Sequence, residues 1–96
     1  MPFNLIIRPT ADAVWKGLEK ADKVRFDKVG NCLYRLSQDP KHPGLHSKRY
    51  KSLDKNHGAP IWECYVENKV AAAYRVFWYY GPAKDEITVV AITPHP

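Results

Sequence analysis

No stretch of this chain stays apolar for the ~20 residues that a membrane-spanning helix needs, because Lys or Arg recurs throughout. A membrane protein is therefore not expected. Cysteine is scarce as well: Cys32 and Cys64 are the only two, far apart and outside any CxxC spacing. They read as buried thiols of a reducing compartment rather than as staples or a redox motif. Residues 1–8 are too short for a secretory leader and run straight into a helical pattern, so the expected location is the cytoplasm. The histidines do not gather into a metal motif. His42, His46 and His57, taken with Cys64, lack a compact ligand spacing, so neither a metal nor another cofactor is expected.

What is present is a core. The 96 residues are 45% hydrophobic and include three Trp, six Tyr and three Phe. That is enough large apolar surface to fold without staples, and a chain this short rarely encloses two cores, so residues 1–96 are read as one domain.

The apolar spacing sets the order of elements. Residues 3–8 form a β-rich run closed by Pro9 and read as a first strand. Thr10 can cap a helix with Asp12 in its first turn, and Ala11, Val14, Trp15 and Leu18 then fall on one stripe that ends near Ala21. Asp22 can cap a second helix, striped by Phe26, Val29, Cys32, Leu33 and Leu36 and stopped by Asp39-Pro40. Two helices with almost no linker make a hairpin. Four strands follow, over 47–53, 61–68, 70–80 and 86–93, with a tight turn near Asn68-Lys69 joining the second and third of these. The expected fold is α+β, a two-helix hairpin on one face of a curved antiparallel sheet, in the order β-α-α-β-β-β-β.

Alternation along 70–80 puts Tyr74, Val76 and Trp78 on one face and Arg75, Phe77 and Tyr79 on the other. A buried unpaired guanidinium is costly, so Arg75 should look out from the face that the helices leave open. There Phe77 and Tyr79 could stack on unpaired bases.

Charge is concentrated in one segment. Residues 41–57 hold Lys41, Lys48, Arg49, Lys51 and Lys55 against Asp54 alone, and most of the net +5 sits there. Such a strip suits a polyanion or an acidic protein.

The strings Trp62-Glu63-Cys64-Tyr65, Ala73-Tyr74-Arg75-Val76-Phe77-Trp78 and the Val/Ile run from Ile87 to Thr93, ending Pro94-His95, resemble the RelE/ParE toxins of bacterial toxin–antitoxin pairs. The resemblance spans nearly the whole chain. It implies one of two activities. The RelE branch cleaves messenger RNA, often on the ribosome, and the ParE branch inhibits a DNA topoisomerase. For the nuclease branch it implies a catalytic set of Arg75, His95 and a cation on the strand after the hairpin, for which Lys51 and Arg49 are both open. Lys48, Arg49, Phe77 and Tyr79 become the expected RNA-binding residues. A cognate acidic antitoxin and ribosome-bound messenger RNA are the implied partners, and self-association stays open.

The chemistry agrees with that implication. Cleavage needs a base for the 2′-hydroxyl, a cation for the phosphorane and an acid for the leaving 5′-oxygen. Arg75 supplies a planar fork and His95 a group that titrates near neutrality. Lys51 or Arg49 can assist, and no metal is required. The other class of function is a binding protein on the same scaffold, a topoisomerase inhibitor or a toxin-like protein without catalysis.

Overall fold

The computed structural model describes residues 2–54 and 58–94. Strand β1 (Asn4–Ile7) leads into helix α1 (Pro9–Ala21) and helix α2 (Lys23–Gln38). A 3-10 turn at Pro43–Leu45, the short strand β2 (Lys48–Arg49) and a second 3-10 turn at Lys51–Leu53 follow. Strands β3 (Trp62–Tyr65), β4 (Tyr74–Tyr80) and β5 (Glu86–Pro94) complete the order. The sheet runs β1-β5-β4-β3-β2, with β4 at its centre.

The α+β architecture expected from the sequence holds, and the central strand is the expected one. Three pairs are antiparallel. The fourth is not: β1 lies parallel to β5, from Asn4 against Glu86 to Ile7 against Val89. A helix hairpin returns the chain to the far side of the sheet, so the first strand meets the last with the same sense.

Local chemistry explains the helix ends. Helix α1 starts at Pro9, with Arg8 before it and no side-chain cap, so Thr10 lies inside the helix rather than capping it. Proline fits there because its missing N–H would have had no partner. Asp22 does cap α2, its side chain accepting from the Arg25 N–H at 3.2 Å. Trp15 locks the two helices together. Its indole N–H donates to the Phe26 carbonyl at 3.1 Å, its ring stacks on Phe26 at 5.4 Å, and a Cβ at Gly30 would stand 3.4 Å from its Cζ2.

The helices cover one face. Val29, Leu33 and Leu36 meet Cys64, Val76, Trp78, Ile87, Val89 and Ile92 in the main core. A bulge at Val90 shifts the register between Phe77/Ala91 and Trp78/Val89. Such an extra residue bends the strand and adds to the sheet's curvature.

The opposite face is not bare. The expected strand over 47–53 stops at Arg49, because the chain turns back and lays Tyr50 and Leu53 on Phe77, with Ile61 and Val90 forming a second small core. Asp54 fixes this fold-back, accepting from Arg49 Nη2 at 2.6 Å and from the Ile61 N–H at 2.7 Å. The β3–β4 connection is also wider than a tight turn, spanning 66–73 with Lys69 and Ala72 at φ of 59° and 54°. Among the described residues no helix is long and apolar enough to cross a membrane.

Candidate active site

Cross-strand register builds the site on the open face. Arg75 on β4 pairs with Tyr65 on β3 and with Thr93 on β5. One step along, Lys48 pairs with Glu63 and Glu63 with Phe77. His46, two residues before β2, sets its ring against Tyr65. The result is a row of His46, Tyr65, Arg75 and Thr93 beside Lys48 and Glu63.

Tyr65 is the centre of this group. Arg75 Cζ lies 3.7 Å from its ring centroid, Lys48 Nζ lies 5.8 Å away, and the His46 ring is tilted against it at 5.0 Å. A cation over an aromatic face is attracted by the ring quadrupole. Arg75 and Lys48 are each drawn to the Tyr65 ring in this way.

Arg75 is on the face that alternation assigns to it, but it does not look out into solvent. Its side chain is 9% exposed. The cost of burial is met by partners that the sequence pattern could not show. Nη1 donates to the Glu67 carbonyl at 2.7 Å and to the Tyr74 carbonyl at 3.2 Å. Nε faces Glu63 Oε1 at 3.9 Å, an ion-pair distance, and Lys48 Nζ reaches the same carboxylate oxygen at 3.5 Å. Glu63 is fully buried and brings the two cations together.

Glu67 anchors the assembly to α2. Its carboxylate accepts from Arg25 Nε at 2.9 Å and from the Tyr74 N–H at 3.3 Å, and it meets Lys28 at 3.5 Å. Burial pushes this carboxyl up, but the hydrogen bonds from Arg25 and the Tyr74 backbone outweigh that and hold it below the usual 4.5. A carboxyl depressed in the folded state stabilises above its unfolded value and loses that contribution as pH falls through the folded one. Glu67→Gln should therefore cost about 1.5–3 kcal/mol at neutral pH. The gap from the parent should close below pH 4.5 as acid is added. Denaturant unfolding across that range tests this, and a gap independent of pH would contradict it.

The other expected residues are spread more widely. Arg49 pairs with Trp62, which pairs with Trp78, so it points to the helix side and is bound to Asp54. Lys51 is exposed in the second 3-10 turn, not on the expected strand, because β2 has ended at Arg49. Phe77 is 2% exposed beneath the Tyr50 ring, at 5.0 Å, so its face is taken and cannot receive a base. Tyr79 is half-buried on the open face, about 13 Å along β4 from Arg75 at ~3.3 Å per residue. The Thr88 hydroxyl and the Arg8 guanidinium, 3.2 Å from its oxygen, draw its phenol below the usual range. His95 lies outside the described residues.

His46, Glu63, Tyr65 and Glu67 were not singled out from the sequence as site residues. The alternation of Glu63 and Tyr65 was a usable signal for two of them. The width of the 66–73 turn hid which β4 residue each would face. Among the described residues no group of His, Cys, Asp or Glu could hold a metal ion.

No family model matches this chain, and no curated protein matches it in sequence. Solved structures do. A YoeB/ParE toxin from Agrobacterium tumefaciens matches with a TM-score of 0.75 at 11% identity, over 98% of this chain and 100% of that one. The YoeB dimer from Staphylococcus aureus matches with a TM-score of 0.71 at 15% identity, over 100% of both chains. A chain of the archaeal RelE-RelB complex from Pyrococcus horikoshii OT3 matches with a TM-score of 0.68 at 14% identity, over 98% of this chain and 96% of that one. Likeness at such low identity concerns the backbone: this chain has the fold shared by the YoeB, RelE and ParE toxins.

Proposed function

We propose that this chain is the toxin of a toxin–antitoxin pair and that it cuts ribosome-bound messenger RNA by metal-independent attack of the 2′-hydroxyl. The observation that carries this reading is the fixed Arg75 guanidinium on the Tyr65 ring, with Lys48 at the same buried carboxylate. A phosphorane needs cationic charge that is already in place, since a group that must reorganise during the reaction stabilises less. Arg75 is held by two carbonyls and a ring, while Lys48 is exposed enough to meet a phosphate. The protein acts in the cytoplasm as a single domain without a cofactor.

Partners follow from the same likeness. The Staphylococcus aureus YoeB-YefM structure is a toxin–antitoxin complex, with a TM-score of 0.69 to this chain. An acidic antitoxin would neutralise the cationic segment between the helices and β3 in the same manner as an RNA backbone. Self-association is a further expectation, in line with the YoeB dimer.

A second reading has its own observation. Arg75 Nη1 is already committed to two backbone carbonyls, as a purely structural arginine would be. On that reading the protein binds a topoisomerase or another protein without catalysis. The deciding experiment adds the purified chain to ribosomes holding a defined message. Cleavage products ending in 2′,3′-cyclic phosphate are expected, together with growth arrest when the chain is expressed without its partner. Intact message with inhibited topoisomerase would establish the second reading instead.

A further inference from the structure

We propose that His46 is the general base of this site. The inference rests on the nuclease reading above and adds to it a residue from the loop before β2.

Three observations lead to it. First, the His46 ring lies 5.0 Å from the ring of Tyr65, the platform that carries Arg75. Second, the residue is exposed, whereas Arg75 and Glu63 beside it are buried. A group that must exchange protons with substrate and water needs that access. Third, its backbone is left-handed, at φ 51° and ψ 41°, closing the Pro43–Leu45 turn through its N–H to the Pro43 carbonyl at 3.2 Å. A non-glycine residue in this region is uncommon, and here it ends the turn on a residue whose ring meets Tyr65.

The surroundings supply the rest of the chemistry. Lys48 and Arg75 provide positive charge on the sheet side, with Glu63 between them. From α2, Lys28 and Arg35 line the small cavity that Tyr65 shares with Gly44 and Leu45. His42 faces inward at the other end of the 3-10 turn, where its Nδ1 accepts from the Gly44 N–H at 2.9 Å. Glu67 answers Lys28 at 3.5 Å, so the charges around the Tyr65 platform are of both signs.

In the step, the His46 imidazole takes the 2′-hydroxyl proton as the 2′-oxygen bonds to phosphorus. The bond from phosphorus to the 5′-oxygen then breaks. The 5′-oxygen takes a proton from water, and the hydroxide so formed recovers the proton from the imidazolium. Arg75 and Lys48 face the phosphorane charge throughout.

The test is a pH–rate profile of message cleavage on programmed ribosomes. The full chain is compared with His46→Asn, because Asn accepts the left-handed backbone and removes the acid–base group. His46→Gly with added imidazole gives the rescue arm. The parent should lose rate as the imidazole range, between about pH 8 and 5, is crossed downward. His46→Asn should be slower by roughly 10²–10⁴-fold and lack that limb. Imidazole should restore part of the His46→Gly rate. If His46→Asn keeps both rate and limb while His95→Ala loses them, the base is His95, and the inference fails with the nuclease reading intact. If the parent itself does not cleave, the nuclease reading fails and this inference with it.

Discussion

Arg75→Lys is expected to lower message cleavage by roughly 10²-fold or more while leaving a folded protein. Lysine keeps a positive charge near Glu63, but it cannot lie flat on the Tyr65 ring or offer a planar fork to phosphate oxygens. Arg75→Ala removes more. It strips the donor from the Glu67 and Tyr74 carbonyls and leaves the buried Glu63 with Lys48. Breaking one side of such a buried pair costs about 3–5 kcal/mol. Circular dichroism and a denaturant curve must therefore accompany the activity measurement for Arg75→Ala, and Arg75→Lys is the decisive variant. A folded Arg75→Lys with parental cleavage would mean that Arg75 only joins β4 to the 66–73 turn.

The placement of Arg75 shows how far the sequence could be read. Alternation on β4 assigned its face correctly, and the helical stripes assigned both helices and their short junction. The two-fold period gives faces, however, and not partners. It could not show that β1 pairs with β5 rather than with a neighbour in sequence. Nor could it show that the 66–73 turn, with two residues at positive φ, would carry the Glu67 carbonyl onto the arginine. A guanidinium needs exposure only where no partner is near, and Arg75 has four: the Glu67 and Tyr74 carbonyls, Glu63 and the Tyr65 ring. Phe77 was misplaced for the same kind of reason. The fold-back of Tyr50 and Leu53 depends on Asp54 bonding Arg49 and Ile61, a contact with no periodic signature.

Trp78→Ala should produce the largest loss of stability in the chain, about 3–5 kcal/mol. The residue has no exposure, stacks on Trp62 at 5.9 Å and meets Tyr80 edge-on at 4.9 Å. Its neighbour Cys64 is fully buried too, 3.6 Å from the Cys32 sulfur. The hydrogen bond shared with Cys32 and burial both push the Cys64 thiol well up, so the Cys64 sulfur stays protonated and acts as packing. Removing the indole opens a cavity between α2 and the centre of the sheet, where neighbours on both sides are too constrained to close it. Against a typical total of about 5–15 kcal/mol, such a loss should lower the urea midpoint by more than ~1 M. Trp62→Ala should cost distinctly less, since that ring is only half-buried. Equal midpoints for the two variants would show that the centre of the sheet is not where the stability lies.

The parallel pairing of β1 with β5 also fixes an order of events during synthesis. Ile7 waits for Val89, which the ribosome adds about 4–16 s later at ~5–20 residues per second. In that interval α1 and α2 can form their hairpin, but the apolar stripe they share has no complete sheet to close on. Contacts this remote in sequence are the slow ones in folding. A nascent copy thus stays unfinished until β5 has been added, and on the proposed function it is no working enzyme before then.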